Sequence, residues 1–269
     1  FNDPENRMAS VTGSKPKRVG IVGAGIAGLA HAWSAAERGH QVTVFERAPK
    51  ASGASIRNFG MIWVIGQPDH LQSIAMNSRE RWLYAAKHAG FWVSQCGSLH
   101  LAHHDDEWQV LSEYRAQHTG TQRGEHLQLL DRRETLHRSP GANPDWLRGS
   151  LWSDTECCVD PTSAVRSMPA WLHSQYQIEF HFSTAVTHVE SGLIHTGGGK
   201  HHRFDQIVIC SGDDFATLFP DVYRGIPIRP CKLHMMRTVE QPQGWRIGPH
   251  LAGGLTLRHY PNFKGCPTL

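Results

Sequence analysis

The sequence predicts an α/β fold with an interleaved antiparallel portion, and three observations carry that expectation. Residues 18–47, RVGIVGAGIAGLAHAWSAAERGHQVTVFER, read as a strand, a glycine turn, a helix and a second strand ending on an acid. From Leu151 the α/β pattern returns: Asp160-Pro161-Thr162 opens a helix, and residues 204–212 form a buried strand that runs into a turn of small residues. Residues 226–260 read as β-hairpins of a second layer.

The first stretch is a dinucleotide-binding fingerprint of Rossmann type with its context intact. Residues 19–22 are short, apolar and β-branched, as in a strand buried on both faces of a parallel sheet. Gly23, Gly25 and Gly28 then supply G-x-G-x-x-G. The first permits the tight turn, the second lets a pyrophosphate approach the backbone, and the third lets the helix pack against the strand. A helix from Ile26 through Ala27 to about Arg38 points its positive end at the phosphates, and Gly39 ends it. The strand at 41–45 delivers Glu46, whose carboxylate suits ribose hydroxyls and repels a 2′-phosphate, which disfavours NADP. Lys15, Lys17 and Arg18 before an apolar run, with Ala30-His31-Ala32 after it, mimic a secretory leader. Three glycines in register and the continuation into helix and strand argue against that reading.

Composition sets bounds. At 269 residues the chain can bury a core of one large or two modest domains. The net charge of +3 is small and the basic residues are scattered, so neither nucleic acid nor anionic lipid is indicated, and no apolar run reaches membrane-span length. Cys96, Cys157, Cys158, Cys210, Cys231 and Cys266 show no C-x-x-C spacing and are expected to be reduced thiols in a cytoplasm. The 19 histidines include the doublets His103-His104 and His201-His202, but no metal-site spacing accompanies them, so no metal is expected.

Further along, residues 47–60 form an extended loop of small residues, and 69–89 carry a helical apolar pattern ended by Gly90. Residues 91–102 suit one or two strands, and 105–117 a helix with Asp105 and Asp106 at its N-terminus. After the helix of 161–174, short strands are expected at 177–182, 185–189 and 193–195, with Gly197-Gly198-Gly199 as a turn. The opening Phe1, the plausible start at Met8-Ala9-Ser10, and the stop just after an apolar stretch suggest a fragment, inactive and poorly stable alone.

The fingerprint, GASIRNFGMIW at 53–63, Val159-Asp160-Pro161 at a helix start and VICSG at 208–212 occur in an order that resembles the FAD-dependent amine oxidoreductases of the D-amino-acid oxidase, glycine oxidase and sarcosine oxidase superfamily. SIRNFGMIW together with GGLTLRHYPNFKGCPTL at 253–269 is similar to a bacterial subgroup associated with aminophosphonate breakdown. The resemblance implies a glutathione-reductase-like FAD domain (16–88 and 151–223) interleaved with an α+β substrate domain containing an antiparallel sheet (89–150 and 224–269), after a tail at 1–15. It further implies that Gly23, Gly25, Ile26, Ala27 and Gly28 hold the FAD pyrophosphate and Glu46 the adenosine ribose. Arg47 would lie beside the adenine and Val186 would meet it through its backbone. Ser55, Arg57, Asn58, Phe59, Gly60 and Met61 would line the path to the isoalloxazine, with Ser211 and Gly212 near the phosphates or ribityl. The resemblance also implies a late glycine-rich helix facing the flavin, and the chain is expected to stop before it, leaving the cofactor site incomplete.

Flavin amine chemistry asks the protein mainly for positioning and desolvation. An acid group on the substrate calls for arginine, and Arg258 is the first candidate, with Tyr260 and His259 beside it on an expected strand and Arg57 second. No catalytic side chain is singled out. The expected activity is oxidation of a small acidic amine, an amino acid or aminophosphonate, to imine and then carbonyl, with oxygen or a quinone as acceptor. Two alternatives stand beside it: another class of FAD oxidoreductase, such as a hydroxylase or desaturase, and a truncated, non-catalytic nucleotide-binding module.

Overall fold

A computed structural model describes residues 15–229, 231–232 and 234–269. These fall into two compact units: the described part of Phe1–Asn58 with His88–Gly90 and Pro161–Met235, and Phe59–Lys87 with Phe91–Asp160 and Met236–Leu269.

The first unit is built on a four-stranded parallel sheet. Its order is Gln206–Ile209, Arg18–Val22, Gln41–Phe45, Glu179–His181. Val19, Ile21, Val42 and Val44 are buried, as a strand covered on both faces requires. Helix Ile26–Glu37 packs beside helix Pro161–Tyr176, with Trp33 and Trp171 meeting edge to face at 4.9 Å. A second, antiparallel sheet of Val186–Glu190, Leu193–Thr196 and His201–Arg203 closes over the parallel one. Phe45, Val186, Ile194 and Phe204 form the shared core, and a Cβ on Gly20 would stand 2.6 Å from the Phe204 ring. That strand therefore passes directly beneath the aromatic ring.

In the second unit His250–Ala252, Ser98–Ala102, Gly149–Ser153 and Leu127–Asp131 form a four-stranded sheet; the first pair is parallel and the others antiparallel. Met61–Ile62 and Val93–Ser94 flank Cys157–Val159 in a smaller antiparallel sheet. Helix Asp105–Gln117 lays Val110, Leu111 and Tyr114 against Leu151, Leu257 and Phe263. Helix Arg132–Arg138 starts in a capping box, Asp131 accepting from the Glu134 amide at 2.8 Å and Glu134 from the Asp131 amide at 2.9 Å. Glu156 is fully buried, and its carboxylate accepts from the Ile65 amide, Thr155 Oγ1 and Ser98 Oγ at 2.7–2.9 Å. Those bonds offset the cost of burying it.

Three expectations need correction. Residues 226–260 do not form hairpins; among the described residues there, only His250–Ala252 pairs, in parallel, onto Ser98–Ala102. Pro242, Gly244, Gly248 and Pro249 interrupt the stretch. Next to it Gly254–His259 is a short helix, with Leu257 buried at 2 % and Leu255 exposed at 82 %. The domain limits also move. Residues 59–87 and 151–160 lie in the second unit and the described residues of 224–235 in the first, because the smaller sheet of the second unit takes Met61–Ile62 and Cys157–Val159 and its larger sheet takes Gly149–Ser153.

Candidate functional site

The fingerprint folds into a cradle of backbone. Gly23 takes φ +104°, and a Cβ there would collide with the Cys210 carbonyl oxygen, because Cys210 closes on Val22 through a 2.7 Å amide bond. A Cβ on Gly28 would collide with the Gly23 carbonyl oxygen, so helix and turn meet only without one. Gly25, the helix N-cap, faces Ser55 Oγ, which accepts from the Ile26 amide at 3.0 Å. No acid sits in the first turn, so apart from the Ser55 hydroxyl on the Ile26 amide the positive helix end can favour an anion. The donor set fits a dinucleotide pyrophosphate.

Glu46 lies at the strand end beside this cradle. Its carboxylate accepts from the Ala24 amide at 2.9 Å and the Ala48 amide at 3.0 Å, which aims it along the glycine turn. Arg47 pairs with Asp214 at 2.5 Å, joining the loops after strands Gln41–Phe45 and Gln206–Ile209. Asp214 also accepts from Thr217 Oγ1 and the Thr217 amide, and these bonds, chiefly, hold its carboxyl below the usual range. Val186 is buried at the start of its strand in the antiparallel sheet, Ser211 Oγ donates to the Asp214 carbonyl, and Gly212 takes φ +68°. Arg57 and Asn58 are exposed, Asn58 donating to the Ser55 carbonyl at 2.9 Å.

The second unit holds a cavity of about 1160 Å³. Phe59 and Met61 line it, together with Trp63, Trp92 and Trp152, Ser94, Cys96, Cys158, Arg138, Arg246, His250, Thr256 and Tyr260. Gly60 stays buried, its carbonyl accepting from the Val159 amide at 2.9 Å. No carboxylate is among the described lining residues. Burial, then the neighbouring Cys158, pushes the Cys96 thiol up to about 11, and burial and Cys157 raise Cys158, so both stay protonated at neutral pH. His250 donates from Nε2 to the Cys157 carbonyl at 3.1 Å, leaving Nδ1 as the acceptor in the neutral ring. Trp63 sits among His100, His250 and Tyr260, with ring centroids at 5.3, 6.0 and 6.1 Å.

Arg258 is on a helix rather than a strand, its side chain is 61 % exposed beside Asp106 at 3.8 Å, and it does not line the cavity. His259, exposed on the same helix, does not line it either; Tyr260 does. The guanidiniums at the cavity are Arg138 and Arg246, for which the sequence carries no signal. They come from a helix end and a distant irregular segment, and no local spacing links them.

Residues 18–262 match the family described as DAO, FAD dependent oxidoreductase, and the chain belongs to that family. Its cofactor is accordingly FAD, and the glycine cradle, Glu46 and the helix end at Ile26 are the groups that would hold it. A subunit of the opine oxidase of Rhizobium meliloti is 27% identical over 236 residues, 81% of this chain and 62% of that protein. Glycine oxidase from Geobacillus kaustophilus superposes with a TM-score of 0.63 at 24% identity, over 74% of this chain and 56% of its own. L-proline dehydrogenase from P. horikoshii gives 0.64 at 21%, over 74% and 53%. The chain thus spans little more than half to three-fifths of the relatives it matches.

Proposed function

We propose that the protein oxidises the C–N bond of a small amine bearing an acid group, giving an imine that hydrolyses to a carbonyl product. The observation that carries this reading is the pairing, in one chain of an FAD-dependent family, of a backbone cradle for the cofactor with a cationic, aromatic cavity free of carboxylates. The names of its relatives, an opine oxidase, a glycine oxidase and a proline dehydrogenase, lend support, since each speaks of an amino acid or a derivative of one. Bound FAD supplies a two-electron acceptor. The residues described above bind and orient: the cradle holds the pyrophosphate and Glu46 the ribose. The cavity's rings displace water around the amine, and its arginines attract the acid.

No side-chain nucleophile enters this reading, because both cavity thiols are held protonated. The electron acceptor is oxygen or a quinone, the amine an amino acid or aminophosphonate, and the compartment the cytoplasm, the last in keeping with six free cysteines. No helix among the described residues is long and apolar enough to cross a membrane. The test is to purify the full-length protein with FAD and screen glycine, sarcosine, proline, an opine and 2-aminoethylphosphonate. Flavin bleaching under argon and an aldehyde or keto acid product are expected for at least one. A yellow protein that none of them reduces would overturn the proposal.

A further inference from the structure

We propose that the cavity of the second unit binds a ligand carrying two negative charges on oxygen, held between Arg138 and Arg246. The inference deepens the function proposed above, since such a ligand would be the acidic end of the substrate. Arg138 and Arg246, both solvent-exposed, are among the residues lining the cavity, no carboxylate residue is, and among the described residues neither arginine has an ion-pair partner. Two arginines without ion pairs on the wall of one acid-free space call for an anion of matching charge.

The positions are built rather than incidental. Arg138 ends helix Arg132–Arg138 and stacks its guanidinium over the Trp152 ring at 4.3 Å. The next residue, Ser139, is fully buried and donates from Oγ to the Ile247 carbonyl at 2.7 Å. Ile247 directly follows Arg246, so this one bond ties together the two segments that carry the cations. Gly248, at φ +87°, lets the second segment turn beside the Arg138 carbonyl, where a Cβ would stand 3.0 Å away. Thr256 and Tyr260 add neutral hydroxyls to the same wall. Planar guanidinium forks suit carboxylate and phosphonate oxygens alike, so the shared chemistry is a dianion, whether one tetrahedral group or two carboxylates.

The experiment is calorimetry on the full-length, FAD-loaded protein with inorganic phosphate, malonate and acetate. Either dianion should bind at least tenfold more tightly than acetate: phosphate alone would mark a tetrahedral group, malonate alone a dicarboxylate. R138M and R246M should each weaken that dianion at least tenfold with FAD content unchanged, and the lysine replacements should recover part of it. R258M should leave it unaltered. Should the methionine variants fail to fold, the parent still decides for phosphate, whose affinity must rise as its second proton leaves between about pH 6 and 8. For malonate, the lysine variants decide. Acetate binding as tightly as both dianions, or undiminished dianion binding in the double variant, would overturn the proposal. Dianion binding without turnover of any amine would sustain this site and sink the proposed activity. Amine turnover with no preference for dianions would do the reverse.

Discussion

The two candidate sites, one in each unit, are built by opposite means. The cradle of the first is backbone: three glycines, one helix end and one carboxylate, all within 29 residues from Arg18 to Glu46. The cavity of the second is side chains drawn from residues 59–63, 92–96, 138, 152–158 and 246–260. A backbone cradle tolerates almost no substitution at its glycines but is little affected by what surrounds them. A side-chain cavity can change its ligand one residue at a time while its sheet stays intact.

The largest test of that contrast is Gly28→Val. The added carbons would be driven into the Gly23 carbonyl, where only main chain can yield, so a loss of about 4 kcal/mol or more and a colourless protein are expected. Flavin absorbance after purification and a denaturant midpoint would check it; retention of FAD would mean the turn relaxes at low cost. In the second unit the comparable change is Glu156→Ala, which orphans the buried Ile65 amide and Ser98 hydroxyl, leaves Thr155 only Ser153, and should cost about 3 kcal/mol. Here FAD content should fall only in step with folding. A selective loss of FAD would show that Glu156 serves the cofactor as well.

Much of the first unit was legible because its signals are local. The strand at 41–45, the helix start at Ile26 and the helix start at Pro161 stand where spacing and capping put them. The capping box at Asp131 and Glu134 is an equally local signal. Residues 226–260 misled because short apolar runs do not separate a strand from a helical turn or irregular backbone; at 254–259 the burial of Leu257 beside an exposed Leu255 marks a helix. Arg138 and Arg246 had no such signal. They are brought together by a bond between Ser139 and Ile247, 108 positions apart.

A pH titration sharpens the contrast from the other side. His100 is buried among Trp63 and Phe263, and burial alone lowers its pKa to about 3. Its imidazole stays neutral in the folded protein but gains a proton on unfolding below about pH 6.5. The stability linked to this ring is therefore fully present above about pH 6.5 and declines by about 1.4 kcal/mol per pH unit between 6.5 and 3. His100→Phe should flatten the acid limb of stability by one proton. An unchanged slope would place the ring in contact with water. In the first unit Glu46→Ala should weaken FAD by about 1–3 kcal/mol, seen as a raised dissociation constant, with the alanine variant still folded. Equal affinity would confine Glu46 to bracing the turn.

The smallest effect is expected at the residue that local spacing favoured most. Arg258 lies on a six-residue helix, its side chain is 61 % exposed, and its nearest acid, Asp106, is 3.8 Å away and itself 57 % exposed. Such a pair is screened by water, and exposed pairs of this kind contribute about 0–1 kcal/mol. Arg258→Met should therefore shift stability by no more than about 0.5 kcal/mol and the Michaelis constant for an acidic amine by less than about twofold. The same substitution at Arg138 or Arg246 should raise that constant tenfold or more if about 1.5–3 kcal/mol of charge-assisted bonding is lost. Steady-state kinetics of the three variants on one substrate would rank them. If Arg258→Met proved the most damaging, the acid group would bind at the exposed helix face, and the cavity arginines would have to be assigned another ligand.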